Sequence, residues 1–209
     1  MRLENRIYLA SRSPRRRELL KQIGINFELL LLREDPGRGA DVDETPLPGE
    51  KPEDFVLRIA QAKAETGWRR ITERRLPRLL HRLPLLAADT AVVLGERIIG
   101  KPSGPEHAVQ ILRELSGRSH RVLTAVAVVY DDRIDARLSA TDVHFGSLSE
   151  QEIRRYVATG EPLDKAGAYA IQGRAAAFVS RIDGSYSGVM GLPLYETTEL
   201  LRQFGCEVP

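Results

Sequence analysis

The chain has 209 residues, of which 42% are hydrophobic and 29% are charged, and it contains a single cysteine, Cys206. This length and composition are typical of one globular domain, or at most a two-lobed one. One cysteine excludes an internal disulfide framework, no apolar run approaches the roughly 18 residues of a membrane span, and the net charge of +2 does not indicate a nucleic acid partner. The N-terminus also lacks a signal-peptide pattern, so we predict one cytoplasmic domain over residues 1–209 that binds neither membrane nor nucleic acid.

The basic residues are mostly arginine, with 26 Arg among the 31. The lysines are Lys21, Lys51, Lys63, Lys101 and Lys165. An ammonium is compact and a guanidinium is broad and planar, so the lysine positions are candidates for places that Arg cannot serve. Residues 69–82 hold six Arg and one Glu, which leaves the rest of the chain mildly acidic. This Arg-rich segment is predicted either to extend a helix or to form an exposed excursion.

In chain order, apolar patterns and turn residues predict alternating strands and helices. The predicted strands are residues 6–10, 27–32, 85–94, 97–99, 121–130, 133–145 and 175–182. The predicted helices are residues 14–23 with Ser13 as N-cap, 52–66, about 103–115 opened by a Ser103/Glu106 capping box, about 149–158 opened by a Ser149/Glu152 capping box, and 194–203. Such an alternation, with some antiparallel hairpins, predicts an α/β fold with a mixed central β-sheet flanked by helices.

The first predicted helix begins with a cluster of basic residues. Residues 11–20 read SRSPRRRELL, which places Arg15 and Arg16 in the first helical turn. Arg is unfavourable at the positive end of a helix dipole, whereas free helix N–H groups and guanidinium forks both match phosphate oxygens. The pattern leaves two interpretations open, a phosphate site and a solvated basic helix face.

Two groups of acidic residues are candidates for chemistry. Asp89 lies within the apolar strand 85–94, where a carboxylate is costly to bury unless it is paired or bound to metal. The loop sequence Asp41-Val42-Asp43-Glu44 clusters carboxylates of the kind that bind hard divalent cations. The alternatives are a turn-capping Asp at a strand end and a solvated acidic loop.

Two lysines and one polar loop complete the candidates. Lys63 lies on the apolar face of helix 52–66, and Lys101 lies in a Gly-Lys-Pro turn. Either ammonium can serve as a point charge for phosphate, and the alternative for Lys63 is a side chain that snorkels to solvent. The Gly-punctuated loop 160–173 carries Gln172, whose amide could contact a base edge.

Together these segments resemble the Maf family of nucleotide pyrophosphatases. The matching segments are SRSPRRRELL (11–20), VDE (42–44), LRIAQAKA (57–64), ADTAV (88–92), GKP (100–102), LSGRSHRVLTAV (115–126), GEPLDKAGAYAIQG (160–173) and GSYSGVMGLPL (184–194). They span nearly the whole chain. The resemblance implies a Maf/ITPase-like fold with two lobes around a nucleotide-binding cleft.

The resemblance also implies an activity, a cofactor and a set of site residues. The family hydrolyses nucleoside triphosphates to the monophosphate and pyrophosphate with a divalent metal such as Mg²⁺ or Mn²⁺. Glu44, Lys63, Asp89 and Lys101 match its catalytic residues, Asp89 being the proton acceptor, and Glu44 and Asp89 are the expected metal ligands. Arg15, Thr90 and Gln172 match the specificity positions of the branch that takes dTTP and UTP. Ser11 and Arg16 are expected to bind phosphate.

Three further matters are left open by the sequence. Modified pyrimidine triphosphates, the substrates of a house-cleaning enzyme, are not distinguished from dTTP and UTP. The family is often dimeric, which leaves a homodimer open. Two alternative functions also remain: a nucleotide sensor without hydrolysis that acts in cell-division arrest, and a nucleic acid binder that uses residues 69–82.

Overall fold

The computed structural model describes residues 5–33, 40–73 and 83–208. These residues form a seven-stranded mixed sheet with helices on both faces. The strands are β1 (Arg6–Ala10), β2 (Asn26–Leu29), β3 (Leu85–Leu94), β4 (Arg97–Ile99), β5 (Ser119–Tyr130), β6 (Arg133–Phe145) and β7 (Val179–Asp183). The helices are α1 (Pro14–Gln22), α2 (Pro52–Glu73), α3 (Pro105–Leu115), α4 (Glu150–Val157), α5 (Tyr186–Met190) and α6 (Leu194–Gln203), with 3₁₀ helices at Glu161–Asp164, Ala166–Ala168 and Arg174–Phe178. The α/β prediction is confirmed.

Strand β3 carries two different partners along one of its edges. The sheet order is β2-β1-β3-β5-β6-β7, and β4 also pairs with β3. Strand β1 pairs with the first part of β3 in parallel, and the last pair is Ala10 with Ala87. Strand β4 pairs with the last part of β3 in antiparallel orientation, from Val92 onwards, where Val92 is opposite Ile99. Among the described residues, the stretch 88–91 therefore has no strand partner on this edge. Its other edge is fully paired with β5.

The pleat of β3 sends neighbouring side chains to opposite faces of the sheet. Leu85 and Ala87 pack with the apolar face of α2, whereas Leu86 and Ala88 pack with α1 and α6. Asp89 therefore faces the side of α2, and Thr90 faces the opposite side. Because the edge of β3 is open at this point, both side chains can reach one cleft.

The apolar core is divided into two lobes. The first surrounds β1 and the beginning of β3, with α2 on one face and α1 and α6 on the other. The second surrounds α3, α4 and the loop 160–173, packed on Val92, Val122 and Val143. The cleft that β3 opens onto lies between these lobes.

Most predicted helix boundaries are confirmed, and one cap is wrong. Ser13 caps α1, and Ser149 and Glu152 form the predicted capping box of α4. The cap predicted at Ser103 is wrong, because α3 begins at Pro105 after Gly104, and Ser103 contacts His107 Nδ1 instead. Proline favours the first helical position, where its missing N–H costs nothing, and this moves the helix start by one residue.

Three further boundaries differ from the prediction, the first being that of β2, which covers Asn26–Leu29 and not residues 27–32. The strand predicted over 175–182 begins only at Val179, because residues 174–178 form a 3₁₀ helix. The alanines of that segment lack the branched side chains that favour a strand. Helix α2 continues beyond residue 66 to Glu73, so the interpretation as a helix extension is confirmed for residues 69–73, whereas 74–82 lie outside the described residues. Within the described ranges, no helix combines the length and apolar character needed to cross a bilayer.

A buried histidine in the second lobe makes folding sensitive to acid. His120 is almost fully buried, with its Nε2 atom 2.9 Å from the Tyr169 hydroxyl and its ring edge-to-face with Phe145. Burial, with a smaller contribution from the charge of His144, lowers the pKa of His120 from 6.5 to about 4. Between these two pH values the unfolded chain binds more protons than the folded chain. The folded state is therefore destabilised as the pH falls from 6.5 towards 4.

Replacing His120 with Gln should remove this part of the pH dependence. Between pH 7 and pH 5, the unmodified chain should lose about 2 kcal/mol of unfolding free energy through His120, and the variant should not. Urea unfolding at both pH values measures the difference, with the exposed His107→Gln as matched control. An unchanged pH slope in the His120 variant would contradict the prediction.

Candidate active site

The candidate site is a cleft of about 330 Å³ between the two lobes. Every residue that the family resemblance assigns to the site lines this cleft, whereas Asp41 and Asp43 of the acidic loop are not among its lining residues. The assigned residues are Ser11, Arg15, Arg16, Glu44, Lys63, Asp89, Thr90, Lys101 and Gln172. They come from the turn before α1, the first turn of α1, the acidic loop, α2, β3, the turn after β4 and the loop 160–173. The fold therefore gathers residues separated by up to 161 positions in the chain.

A lysine between two carboxylates forms the centre of the cleft. The Lys63 Nζ atom lies 2.9 Å from Asp89 Oδ1 and 2.8 Å from Glu44 Oε1. The side chains of Lys63 and Asp89 are 13% and 12% exposed, whereas that of Glu44 is 48% exposed. Helix α2 delivers Lys63 to this point because Val56, Ile59 and Ala60 on the same face are anchored in the core.

Burial and the neighbouring charges shift the pKa of each residue, Asp89 and Lys63, in opposite directions. Burial raises the pKa of Asp89 above its ordinary value, and the positive charges of Lys63 and Arg16 offset only part of this. Burial alone would lower the pKa of Lys63, but the neighbouring Asp89 and Glu44 carboxylates outweigh it and raise that pKa. Lys63 therefore stays charged. Burial makes Asp89 a stronger base than an exposed aspartate.

The acidic loop that carries Glu44 is tied to the last turn of α2. The side chain of Asp41 is nearly buried and pairs with Arg70 Nη2 at 2.6 Å and Arg33 Nη2 at 3.1 Å. Burial acts to raise the pKa of Asp41, but hydrogen bonds from Arg33 and the charge of Arg70 together lower it. The first part of the Arg-rich segment thus anchors the loop that holds Glu44. The sequence marked Arg70 as unusual, but it contained no sign of this partner 29 positions away.

The turn before α1 is held by a network around Arg16. Arg16 donates to the Gly191 carbonyl at 2.7 Å, to Ser11 Oγ at 3.2 Å and to Thr90 Oγ1 at 3.2 Å. The Ser11 hydroxyl also accepts from the backbone N–H of Ser13 at 3.2 Å. Arg16 thus joins α1, β3 and the segment after α5, and it places its positive charge beside the carboxylate of Asp89.

The second lobe contributes the opposite wall of the cleft. The loop 160–173 is joined to the turn that carries Lys101 by a backbone hydrogen bond from Gly167 to Gly100, 3.2 Å long. Gly167 has φ +70°, and a Cβ atom there would lie 2.8 Å from the Val92 side chain, so glycine permits this close approach. Lys165 lines the same wall, and its side chain is only 13% exposed. Its Nζ atom donates a hydrogen bond to the Glu161 carbonyl and forms an ion pair with Asp164.

Several residues that line the cleft were not assigned a role from the sequence. For Lys165, the signal in the sequence was that it is one of five lysines in a chain whose basic residues are mostly arginine. Others, such as Arg12, Tyr169 and Met190, lie in segments that resemble the family, but the residue types alone did not assign them a role there. They also line the cleft.

The donor set of the cleft suits a divalent cation that shares its coordination with a substrate. Within residues 5–33, 40–73 and 83–208, no group of three or more His, Cys, Asp or Glu side chains forms a closed metal site. Glu44 and Asp89 nevertheless converge on one point, and Lys63 uses one oxygen of each. Mg²⁺ is commonly bound by one or two carboxylates, with water and phosphate oxygens as its other ligands. These two residues therefore fit a metal of that kind.

The fold and the cleft define an α/β protein with a largely basic cleft around a buried carboxylate. A model of the family described as Maf-like protein matches residues 6–204, and the chain belongs to the Maf family. It is 58% identical over 204 residues to the dTTP/UTP pyrophosphatase of Nitrosomonas europaea, covering 98% of this chain and 97% of that protein. It is 60% identical over 201 residues to the dTTP/UTP pyrophosphatase of Nitrosospira multiformis, covering 96% and 95%.

Among solved structures, the chain is similar to the Ham1 protein of Staphylococcus aureus. The identity is 16%, the TM-score is 0.46, and the match covers 95% of this chain and 97% of that one. A Ham1 protein from Coxiella burnetii gives 17% identity and a TM-score of 0.45, with coverage of 95% and 98%.

Proposed function

We propose that this chain is a nucleoside triphosphate pyrophosphatase that converts dTTP and UTP to the monophosphate and pyrophosphate. The observation that carries the proposal is the Asp89–Lys63–Glu44 cluster at the centre of a cleft whose other charged side chains are mostly basic. The names of the relatives that match nearly the full chain support the same substrates. The cluster combines a buried base, a fixed positive charge and two carboxylates suited to a cation.

The charge of the cleft suits a triphosphate. Its basic side chains are Arg12, Arg15, Arg16, Lys63, Lys101 and Lys165, and its acidic side chains are Glu44, Asp89 and Asp164. A triphosphate carries about four negative charges, so its cleavage depends mainly on charge neutralisation and positioning. The excess of basic groups supplies both.

The proposed reaction is attack of water on the α-phosphorus. Asp89 accepts a proton from that water as the new P–O bond forms, and the bridging oxygen to the β-phosphorus leaves with pyrophosphate. A divalent cation held by Glu44 and Asp89 would supply charge neutralisation and lower the pKa of bound water. Lys63, Lys101 and Arg16 stabilise negative charge on the phosphates.

The remaining candidates are assigned to recognition. Ser11 and the backbone N–H of Arg15 bind phosphate oxygens at the N-terminus of α1. Pro14 has no N–H there, and that of Arg16 donates to Ser13 Oγ. Arg15, Thr90 and Gln172 contact the pyrimidine and its sugar-side surroundings. The nucleotide is the partner that this site requires, whereas the cytoplasmic location and a homodimer stay predictions.

The proposal is tested by a substrate panel. Canonical triphosphates and modified pyrimidine triphosphates are assayed for pyrophosphate and monophosphate, with Mg²⁺, with Mn²⁺ and with EDTA. We expect turnover of dTTP and UTP, loss of turnover in EDTA, and recovery when excess Mg²⁺ is added. Tight nucleotide binding without product under all metal conditions would instead support the sensor function. Release of orthophosphate in place of pyrophosphate would contradict attack at the α-phosphorus.

A further inference from the structure

A row of polar side chains crosses the sheet beneath the cleft, between the two lobes. Thr90 on β3 is paired with Thr124 on β5, and Thr124 is paired with Ser139 on β6. Thr124 is 0% exposed, and the residues beside it on the same face, Val122 and Val126, belong to the apolar clusters of different lobes. A buried hydroxyl in such surroundings is costly unless its hydrogen bonds are satisfied.

The hydrogen bonds of Thr124 determine the direction of the next one. Its Oγ1 atom lies 2.8 Å from the carbonyl oxygen of Gly188, which can act only as an acceptor, so Thr124 donates its single hydroxyl proton there. The Oγ1 atoms of Thr90 and Thr124 are 3.0 Å apart. Because the Thr124 proton is already used, Thr90 must be the donor in this contact and Thr124 the acceptor.

The Thr90 hydroxyl also has one proton and two lone pairs, and their partners determine what Thr90 can offer to a ligand. Its proton is directed at Thr124, and one of its two lone pairs accepts from Arg16 Nη2 at 3.2 Å. One lone pair remains, on a side chain that lines the cleft. Towards the cleft, Thr90 is therefore an acceptor and not a donor.

We propose that Thr124 is a positioning residue that sets substrate selectivity by holding Thr90 as an obligatory hydrogen-bond acceptor. The inference rests on the proposed function, since it requires that Thr90 faces the pyrimidine ring. Uracil and thymine carry an N3–H donor that matches an acceptor at Thr90. The N3 atom of cytosine carries a lone pair in its place, so a cytosine nucleotide brings two acceptors together and leaves both unsatisfied.

The decisive variant is Thr124→Val, which keeps the shape of the side chain and removes its hydroxyl. Thr90 then loses the acceptor for its proton and can turn that proton towards the ligand, where it matches cytosine N3. We expect the ratio of kcat/KM for dTTP to that for dCTP to fall at least about tenfold. This ratio does not depend on the fraction of folded enzyme, so it stays informative if the variant is less stable.

Three further variants complete the test. Thr124→Ser keeps the hydroxyl and should keep the selectivity of the unmodified chain. Thr197→Val is the matched control, because Thr197 is equally buried and donates to the Pro193 carbonyl away from the cleft. Thr90→Val removes the acceptor itself, so it should lower kcat/KM for dTTP more than for dCTP.

The outcomes separate the inference from the proposed function. A reduced dTTP/dCTP ratio in Thr124→Val, with an unchanged ratio in Thr124→Ser and Thr197→Val, supports the inference. An unchanged ratio in Thr124→Val, or equal losses for both nucleotides, overturns it and leaves the pyrophosphatase function standing. If the unmodified chain turns over no pyrimidine triphosphate, the proposed function fails and the inference fails with it.

Discussion

Replacing Asp89 with Asn should lower kcat for dTTP hydrolysis by a factor of about 100 to 10,000, the usual contribution of a general base. The amide has nearly the same shape, and its oxygen can still accept from Lys63, which lies 2.9 Å from Asp89 Oδ1. It cannot take a proton from water at neutral pH. Phosphate binding by the basic walls should persist, so KM should change much less than kcat.

The same variant should be at least as stable as the unmodified chain. Burial raises the pKa of Asp89, so the folded state binds this proton more tightly than the unfolded state does. The ionised carboxylate therefore reduces stability as the pH rises above the ordinary aspartate pKa of 3.8. Asn removes that cost at pH 7, and Lys63 keeps Glu44 as its charged partner at 2.8 Å, so the thermal midpoint should be unchanged or higher.

Steady-state kinetics and thermal unfolding of Asp89→Asn test both statements. Asp142→Asn is the matched control, because Asp142 is an exposed acid on β6 of the same sheet. It should keep both activity and stability. Activity close to that of the unmodified chain in the Asp89 variant would refute the assignment of this residue as the base.

Replacing Lys63 with Met should abolish most activity and also destabilise the fold. The carboxylates of Asp89 and Glu44 would then lie close together without the Lys63 ammonium, which is 2.9 Å from the first and 2.8 Å from the second. Breaking a buried ion pair by removing one partner costs about 3 kcal/mol, and Asp89, whose side chain is 12% exposed, is the more buried of the two carboxylates. The loss of phosphate charge stabilisation adds a kinetic effect, expected to be about a hundredfold in kcat/KM.

A second Lys63 variant separates charge from shape. Lys63→Arg keeps the charge, but a planar guanidinium does not fit the space of a compact ammonium between two carboxylates. It should restore much of the stability lost in Lys63→Met while leaving kcat/KM about tenfold or more below normal. Lys21→Arg and Lys21→Met, at an exposed position on α1, are the matched controls. Full activity in Lys63→Arg would show that charge alone is needed.

Local patterns were sufficient for most elements of the fold. Ser13 before Pro14, and Ser149 followed by Glu152, predicted helix starts that the structure confirms. These signals succeed because a cap is made by residues within three positions of one another. The Ser103 prediction was wrong because a neighbouring proline competed for the same helix start. The predicted strand over 175–182 begins late, at Val179, where the weak strand preference of the alanines is combined with packing of Ala175 against the second lobe, and this packing is not contained in the local pattern.

The sequence by itself determined the alternating order of strands and helices and the Maf-family motifs. It also identified, as candidate site residues, nine residues that line the cleft. Each of these depends on neighbouring residues or on a resemblance along the chain. It also indicated that lysine had a particular purpose among so many arginines, and Lys63, Lys101 and Lys165 all line the cleft.

Tertiary structure alone decided how these residues work together. Asp89 and Thr90 face opposite sides of the sheet, and they meet one cleft because β1 ends before them and β4 begins after them. The contacts of Asp41 with Arg70, and of Thr90 with Thr124, join residues 29 and 34 positions apart. Such contacts form only when packing of the whole chain brings distant segments together, and for that reason no local pattern could predict them.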